Sequence, residues 1–309
     1  MSKTADRGVS MHKTVLLQEA VDGLNLGKKG VEDMVVVDAT FGAGGHTREI
    51  CKRYRHVHVV AIDNDATAWQ RAHDTFLSCD VSFHNANFAD VDVLLEKEGI
   101  HGVDGIVFDL GLSSDQLENS GRGFSFQKDE PLLMTMKAFP SKEDVTAHDV
   151  VNEWSEESLA EIMYGYGEEK FARRIAKAIV KGRIGMPVET TFDLVQIIEH
   201  AVPAQYRRRR MHFATKTFQA IRIAVNDELG RLKEGLRKGF EALKPGGRMS
   251  VISFHSLEDR IVKNFYKEKV TEGAGILINK RVIVPGSDEL KENPRARSAK
   301  LRVIEKIKN

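Results

Sequence analysis

The sequence predicts an α/β protein with a Rossmann-like, doubly wound parallel sheet that is interrupted by an all-helical insertion. Three observations support this prediction. In the first 116 residues, short apolar runs alternate with helical spacers, which is typical of βαβ units whose sheet is buried on both faces. A glycine cluster directly follows the first apolar run. Between residues 117 and 212 the strand signals stop, and helical patterns punctuated by prolines replace them.

The first part of the chain contains four predicted strands. They are Met34–Thr40, Val57–Ile62, a weaker run that starts at Val81–Phe83, and Gly105–Leu110. The spacers between them have the length of crossover helices, which connect parallel strands with a right-handed turn. These spacers are Thr47–Tyr54, Asp65–Leu77 and Ala89–Glu98.

The second part is predicted to be helical. Helices are expected over Glu156–Tyr164, Glu169–Val180 and Thr191–His200. We therefore expect a discontinuous sheet domain at residues 1–116 and 213–309. Residues 117–212 form the insertion, a candidate substrate-recognition domain.

One long amphipathic helix is predicted after the insertion. Its apolar positions recur about every 3.6 residues, as one face of a helix requires; they are Phe218, Ile221, Val225, Leu229, Leu232, Leu236, Phe240 and Leu243. The segment 244–247 (KPGG) should end this helix and turn the chain. Arg248–Phe254 is predicted to re-enter the sheet, and Ser298–Ile307 alternates in the manner of an exposed or edge strand.

Composition limits the protein class. The chain has 309 residues, 41% hydrophobic and 29% charged, which is ordinary for a globular protein. No apolar run approaches the roughly 20 residues of a membrane span, and the polar N-terminus does not resemble a secretory signal. Two cysteines, Cys51 and Cys79, exclude a disulfide scaffold. We expect both to be small buried apolar side chains and the protein to be cytoplasmic.

Charge is balanced overall but unevenly distributed. Residues 86–165 carry a net charge of −12, residues 200–248 carry +8 and residues 291–309 carry +5. The two basic zones could face a polyanion such as RNA. The alternative is that they are ordinary solvated helix faces.

The loop after the first strand is a candidate ligand site. It runs from Asp38 to His46 with glycines at 42, 44 and 45, so the backbone can approach a ligand closely at the edge where such sheets bind ligands. Asp63 ends the second strand 19 residues beyond Gly44, a placement that suits ribose hydroxyls. A dinucleotide loop would need a third glycine where Thr47 stands. S-adenosylmethionine needs no pyrophosphate site, and we favour it; a merely tight turn is the remaining alternative.

Two further strand ends agree with this cofactor. Phe88 follows the third strand, where it could pack on an adenine, although an ordinary core position is the alternative. Asp109 ends the fourth strand, where the methyl group and its acceptor should meet.

These segments together resemble the bacterial RsmH (MraW) family, which methylates N4 of a cytidine in 16S ribosomal RNA. The matching stretches run in order from about residue 11 to the end; they include DATFGAGGHT, AIDND, VFDLGLSSDQL, RGFSF, FHSLEDR and NPRARSAKLR. The resemblance implies a class I S-adenosylmethionine-dependent methyltransferase fold with a helical recognition domain inserted after the fourth strand. It also implies cofactor contacts at Gly44, Gly45, His46, Asp63, Phe88, Asp109 and Gln116.

The chain departs from the family pattern in three places. Asp115 stands where proline is common before the motif glutamine. Leu133–Lys137 replaces a segment resembling DMRMD and loses its charges. Phe213 and Lys216 replace the proline and arginine of HPATRTFQ. These departures concern substrate contacts more than cofactor binding.

The expected reaction is methylation of the exocyclic amine of cytosine. Asp109 is the candidate catalytic group, because an acceptor there would orient the amine and stabilise its developing charge; the alternative is that Asp109 only orients the cofactor. Methylation at carbon 5 would want a cysteine nucleophile, and neither cysteine lies at the fourth or fifth strand end. His255 and Asp259 supply two metal ligands only, so no metal site is expected.

The basic zones supply the candidate RNA contacts, because RNA recognition selects splayed bases and phosphates. The candidates are Arg207, Arg208, Arg209, Arg210, His212, Lys216, Arg222, Arg295 and Arg297, with Lys300 and Arg302 beside the last two. The expected partner is 16S ribosomal RNA within the small ribosomal subunit. The alternatives are a methyltransferase of small molecules or proteins, and a non-catalytic RNA-binding assembly factor with a vestigial cofactor fold.

Overall fold

The computed structural model of the chain describes residues 14–29 and 33–307. Its centre is a seven-stranded sheet in the order β3-β2-β1-β4-β5-β7-β6. The strands are β1 (Met34–Asp38), β2 (Val57–Asp63), β3 (Asp80–Asn85), β4 (Val103–Asp109), β5 (Leu243–Ser253), β6 (Gly275–Leu277) and β7 (Lys300–Lys306).

The helices connect and cover these strands. They are α1 (Leu17–Leu24), α2 (Gly45–Arg53), α3 (Ala66–Ala72), α4 (Val91–Lys97), α5 (Ser114–Asn119), α6 (Ala147–Glu153), α7 (Glu156–Gly165), α8 (Ala172–Gly182), α9 (Thr191–Ala201), α10 (Ala204–Arg207), α11 (Thr215–Asn226), α12 (Glu228–Ala242), α13 (Ser256–Thr271) and α14 (Ser287–Glu292). In the described part of the chain, every helix is too short or too polar to span a bilayer.

Strands β1 to β5 are parallel, as predicted, and β6 and β7 run antiparallel to their neighbours. Successive strand residues point to opposite faces of the sheet. On β1, Val37 therefore packs with Leu236 of α12 on one face, while Val36 packs with Leu24 of α1 on the other. This two-sided burial confirms the α/β fold class.

The amphipathic stripe after the insertion does not form one long helix, so that prediction is wrong. Asp227 adopts a left-handed conformation with φ of +47° and separates α11 from α12. Asn226 accounts for the break, because its side chain bonds the backbone of Met134 and Met136 at 2.8 Å each and ties the chain to the insertion. The stripe consequently divides between two cores.

Helix α11 packs in the core of the insertion, whereas α12 packs on the sheet. Phe218 and Ile221 belong to the same buried cluster as Leu159 and Ile198, and Leu232 belongs to the cluster that covers the sheet. The domain boundary at residue 213 stays a prediction. The packing shows that the helix just after it is shared with the insertion.

Helix α12 ends at Ala242, just before the KPGG segment, as predicted, but the strand that follows begins earlier than the predicted Arg248. The KPGG segment does not form a turn outside the sheet but lies within β5, which begins at Leu243. The pairing between β4 and β5 changes register at this segment. Val103 pairs with Leu243 and Gly105 pairs with Arg248, so β5 contains extra residues that have no partner in β4.

The last strand is not at the edge of the sheet, which corrects a second expectation. Strand β7 lies between β5 and β6. Its alternating polar residues are ion-paired: Arg302 donates to Asp259 at 2.8 Å, and Glu305 accepts from Arg248 at 2.8 Å. The alternation of apolar and charged residues in β7 therefore reflects ion pairing of the charged side chains, not a position at the edge of the sheet.

Cys51 and Cys79 form a disulfide, with their Cα atoms 5.9 Å apart. The expectation of two separate apolar side chains is therefore wrong. The residues are 28 positions apart in the sequence, and they meet because α2 packs beside the segment that enters β3. The inference of a reducing compartment from unpaired cysteines loses its support.

Candidate active site

A cavity of about 490 Å³ lies at the carboxyl ends of the parallel strands. It opens beside β1 and β4, where the strand order reverses and ligands of such sheets bind. Two sets of elements line it. We call the part lined by residues 39–43, 45 and 46, Asp63, Phe88, 109–113 and Gln116 the cofactor half, and the part lined by Arg222, Glu228, His255 and Glu258 the acceptor half.

The glycine loop of the cofactor half has no room for side chains. Gly44 has a φ of +71°, and a Cβ atom there would lie 2.8 Å from the rings of Phe41 and Phe76. A Cβ atom on Gly45 would lie 1.8 Å from Thr14 Oγ1. Gly45 and His46 line the cavity, while Gly44 lies behind it as the N-cap of α2. The loop thus presents bare backbone to a ligand.

Asp63 is anchored at the end of β2. Its Oδ2 accepts from Gly42 N at 2.7 Å, and its Oδ1 accepts from Asp65 N at 2.8 Å. Burial raises the pKa of Asp63 to about 6 against the opposing effect of these two bonds. Each oxygen retains lone-pair capacity toward the cavity, which suits hydroxyl donors such as those of a ribose.

A second carboxylate links the glycine loop to β1. Asp38 accepts from Thr47 Oγ1 at 2.6 Å, and Thr40 Oγ1 accepts from Asp109 N at 2.6 Å. Burial raises the pKa of Asp38 to about 6, although Thr47 and Thr40 oppose it. These bonds hold the ends of β1 and β4 together beneath the loop.

Among the three buried carboxylates at the strand ends, Asp109 has the most strongly raised pKa. Burial, followed by the charges of Asp38 and Glu258, raises the pKa of Asp109 to about 8. Its Oδ2 lies 3.9 Å from His46 Nδ1, and its Oδ1 is buried without a hydrogen-bond partner. A buried carboxylate in this state favours a nearby cation or a hydrogen-bond donor.

A chain of hydrogen bonds that the sequence did not predict holds Gln116 in the site. Its Nε2 donates to Asp65 Oδ2 at 3.4 Å, and Arg122 Nη2 donates to the same oxygen at 2.7 Å. Arg122 also donates to the carbonyls of Thr135 and Met136. The segment Leu133–Lys137 is thus held through its backbone, so its changed side chains leave this support intact.

Phe88 lies where the sequence placed it. It lines the cavity and meets Phe108 edge-on, with ring centroids 5.5 Å apart. Gly235 of α12 passes so close that a Cβ atom there would lie 2.6 Å from the Phe88 ring. The ring is therefore fixed in position at the edge of the cofactor half.

The charged groups of the acceptor half are paired or hydrogen-bonded. Arg222 donates through Nε and Nη2 to the two oxygens of Glu228, at 2.7 and 2.8 Å. Glu258 accepts from the backbone N–H groups of Phe254 and His255 at 2.8 and 3.2 Å. Burial alone would raise the pKa of Glu258, but His255, the Phe254 N–H and Arg222 lower it below its ordinary value.

This half contains a set of metal-ligating residue types that the sequence did not reveal. Ligand atoms of Glu228, His255 and Glu258 lie within 4.8 Å of one another. The expectation of at most two ligands counted His255 and Asp259, but Asp259 instead pairs with Lys300 and Arg302. Arg222 already supplies positive charge to both glutamates, as the raised pKa of its guanidinium reflects despite burial.

The predicted RNA-binding residues differ in their exposure and in their partners. Arg208, Arg209, Arg210, His212 and Arg297 are exposed, and Arg207 is exposed while pairing with Glu199 at 3.0 Å. Lys216 donates to the carbonyl of Glu168, and Arg295 pairs with Glu118 at the rim of the cavity. Arg222 does not join the exposed basic surface, because it is largely buried against Glu228.

The family model and the curated relatives indicate one family. The profile of the MraW methylase family matches residues 9–307. The chain is 45% identical to the ribosomal RNA small subunit methyltransferase H of Limosilactobacillus fermentum, across 96% of this chain and 98% of the relative. It is 46% identical to the protein of the same name from Persephonella marina, across 90% and 94%. A solved rRNA methylase from Streptococcus thermophilus matches 96% of this chain and 98% of its own at 11% identity, with a TM-score of 0.45.

Proposed function

The chain belongs to the MraW methylase family, and we propose that it transfers the methyl group of S-adenosylmethionine to the exocyclic N4 amine of a cytidine in 16S ribosomal RNA. The curated relatives are named as methyltransferases of small-subunit ribosomal RNA. The alternative of a small-molecule or protein methyltransferase is not favoured by these names. The vestigial assembly factor is also disfavoured, because the loop, Asp63 and Asp109 retain a complete crevice.

The crevice fits S-adenosylmethionine. The ligand is a sulfonium cation with an ammonium group, and Asp38, Asp63 and Asp109 are carboxylates whose pKa values are raised by burial, to about 6, 6 and 8. The partnerless Oδ1 of Asp109 is the observation that carries this assignment. A cation beside such a carboxylate favours its ionised form and relieves the cost of its burial.

The predicted cofactor contacts follow from these positions. Asp63 would hold the ribose hydroxyls, Phe88 would pack on the adenine, and the bare backbone at Gly45 and His46 would face the methionine part. Gln116 would close the cofactor half from α5. When bound, S-adenosylmethionine supplies an electrophilic methyl group.

The protein's own residues would orient the acceptor. The cytosine amine is a poor nucleophile because its lone pair is delocalised into the ring. Asp109 can accept a hydrogen bond from one N–H of that amine through Oδ1 and stabilise the positive charge that develops on nitrogen. As the new N–C bond forms and the S–C bond breaks, one amine proton is released toward this carboxylate or water.

The exposed residues Arg207–Arg210, His212 and Arg297 would hold the RNA backbone, together with Lys216 and with Arg295 at the rim of the cavity. The relatives are named as methyltransferases of small-subunit ribosomal RNA, and we propose the assembled small subunit in the cytoplasm as the setting of the reaction. Naked 16S RNA and the isolated subunit are the two substrates to compare.

The test is methylation of each substrate with isotopically labelled S-adenosylmethionine, followed by nuclease digestion and mass spectrometry. The expected product is a single N4-methylcytidine, and replacing the mapped cytidine by uridine should abolish incorporation. Label in protein, label on carbon 5 of a pyrimidine, or no transfer to either RNA substrate would contradict the proposal.

A further inference from the structure

The acceptor half contains a hydrogen-bond donor outside the proposed cofactor contacts. His255 is the N-cap of α13, and its Nδ1 accepts from the backbone N–H of Glu258 at 3.4 Å. A ring nitrogen that accepts carries no proton, so the proton of the neutral imidazole is on Nε2. The helix cap therefore sets the tautomer and makes Nε2–H a donor.

This donor is buried and completes no hydrogen bond within the described residues. Nε2 has almost no solvent contact and no hydrogen-bond partner. The carboxylate of Glu258 lies beside it, with Oε1 3.1 Å from Nε2, and this charge orients the ring without satisfying the donor. His255 lines the cavity. Buried donors are normally satisfied, so an unsatisfied one beside a binding cavity points to a ligand atom.

A second donor lies beside it. The two bonds from Arg222 to Glu228 use Nε and Nη2, which leaves Nη1 outside this pair. Arg222 lines the same cavity and interacts electrostatically with Glu258. Both carboxylates are already engaged, Glu228 by Arg222 and Glu258 by two backbone N–H groups, so the remaining donors suit a neutral ligand with hydrogen-bond acceptors.

The acceptor half lies next to the expected site of methyl transfer. Asp109 at the end of β4 is in register with Ile252 of β5, and His255 follows Ile252 by three residues. The charge of Glu258 contributes to the raised pKa of Asp109, which places the two carboxylates within electrostatic range. A planar ligand between them would also contact the rings of Phe218 and Phe254, which line the cavity.

Cytosine has the complementary pattern. Its N3 and O2 atoms are acceptors, and its N4 amine is a donor. Uracil differs, because its N3 carries a proton and its position 4 is an acceptor. A pocket with donors on one side and Asp109 on the other would therefore accept cytosine. In the same orientation, the N3–H donor of uracil would face the donors and its acceptor at position 4 would face the Asp109 carboxylate.

We propose that His255, through Nε2–H and together with Arg222, reads the N3 and O2 acceptors of the target cytosine and so directs its N4 amine toward Asp109. This assignment rests on the proposed function. It makes His255 a specificity-determining residue, and Glu258 and Glu228 the residues that position the two donors.

The test compares His255→Asn with His255→Ala on two substrates. Asparagine is a good N-cap, so His255→Asn should keep α13 while removing the Nε2 donor; His255→Ala removes both. One substrate is the natural RNA, and the other carries 3-deazacytidine at the target position, which has a C–H group in place of the N3 acceptor. The readouts are single-turnover rate, RNA affinity in the presence of S-adenosylhomocysteine, and calorimetric affinity for S-adenosylmethionine.

The wild-type protein should prefer cytidine to 3-deazacytidine by about tenfold or more, because a site built to hydrogen-bond rejects an analogue without the acceptor. His255→Asn should lose most of that preference, with its cofactor affinity unchanged. The two bases differ in the intrinsic reactivity of the amine, and this difference affects both proteins equally. It therefore cancels when the cytidine-to-3-deazacytidine rate ratio of His255→Asn is divided by that of the wild type.

Three results for His255→Asn would overturn the proposal. They are an equal loss of single-turnover rate on both substrates, an unchanged preference for cytidine over 3-deazacytidine, and a fall in affinity for S-adenosylmethionine. Zinc bound by the wild-type protein and not by His255→Asn would also overturn it, since a ligated Nε2 cannot donate. Failure of the proposed function is distinguishable, because in that case the wild-type protein makes no N4-methylcytidine on natural RNA.

Discussion

The two halves of the cavity hold buried carboxylates in opposite electrostatic states. In the cofactor half, burial raises the pKa values of Asp63 and Asp109 to about 6 and 8, and the charges that act on them are other carboxylates. In the acceptor half, His255, a backbone N–H and Arg222 lower the pKa of Glu258 despite its burial. One half therefore lacks a cation near its carboxylates and suits a cationic ligand, whereas the carboxylates of the other half already have partners and leave donors for a neutral base.

The largest expected effect is a loss of stability from a substitution in the acceptor half. Arg222→Met leaves Glu228 and Glu258 without their buried cation, and breaking such a pair by removing one partner costs about 3–5 kcal/mol. The measurement is the free energy of unfolding from urea titration. Adding Glu228→Gln to Arg222→Met should recover part of the loss, because one uncompensated charge is removed.

Arg237→Met is the matched control. Arg237 also bonds two glutamates, Glu234 and Glu241, but on the surface of α12, where such pairs contribute little. Equal destabilisation by both arginine substitutions would contradict the contrast between the halves.

The next effect concerns the cofactor half. Asp63→Asn removes the charge that would bind the ribose hydroxyls and weakens the anchoring of the glycine loop. Charge-assisted hydrogen bonds contribute about 1.5–3 kcal/mol each, so the affinity for S-adenosylmethionine should fall about 100-fold. Isothermal titration calorimetry measures this, with Asp288→Asn, an exposed carboxylate on α14, as control.

RNA affinity in the Asp63→Asn variant should stay close to that of the wild type, because the acceptor half does not use this carboxylate. A comparable loss of RNA affinity would show that the two halves do not act independently.

The pH dependence of cofactor binding should follow Asp109. A cation binds the ionised carboxylate, and the pKa of Asp109 without ligand is about 8. The affinity should therefore rise roughly tenfold per pH unit between pH 6.5 and 7.5 and level off above about pH 8. In Asp109→Asn this rise should disappear; a rise that persists would assign the titration to another group.

Without ligand, the same group has the opposite effect on stability. A carboxyl whose pKa is raised on folding binds its proton more tightly in the native state. The free energy of unfolding should thus fall as the pH increases from about 4 to 8. Asp109→Asn should flatten this decline, which thermal unfolding of the ligand-free protein can measure.

The smallest effect concerns the exposed arginines outside both halves. Arg208→Gln should weaken RNA binding only modestly and reduce the slope of log affinity against log salt by about one, since one phosphate contact is lost. Cofactor affinity should not change. An unchanged salt slope would indicate that Arg208 lies on a solvated helix face that RNA does not touch.

The cofactor half was largely predictable because each of its parts is a short local pattern. Asp38, Asp63 and Asp109 each end a strand, and parallel strands bring their carboxyl ends to one edge of the sheet. The support from Arg122 and Asp65 was not predictable, because the two residues are 57 positions apart. Their contact depends on the path of a loop that no periodicity describes.

The acceptor half was not predictable for a related reason. Arg222 and Glu228 lie in a segment that the sequence presents as a single amphipathic helix, and only the left-handed residue Asp227 turns them toward each other. His255 and Glu258 come from a different strand end. The disulfide between Cys51 and Cys79 likewise depends on packing between elements that are distant in the chain.

By itself, the sequence determined the order of strands and crossover helices, the glycine loop and the carboxylates at the strand ends, because hydrophobic periodicity and backbone permissiveness act over a few residues. Only the tertiary structure decided where α11 ends, which of the two cores it joins, and which charges are paired. Those outcomes depend on burial and on distances between segments far apart in the chain, and these quantities arise only when the segments pack together.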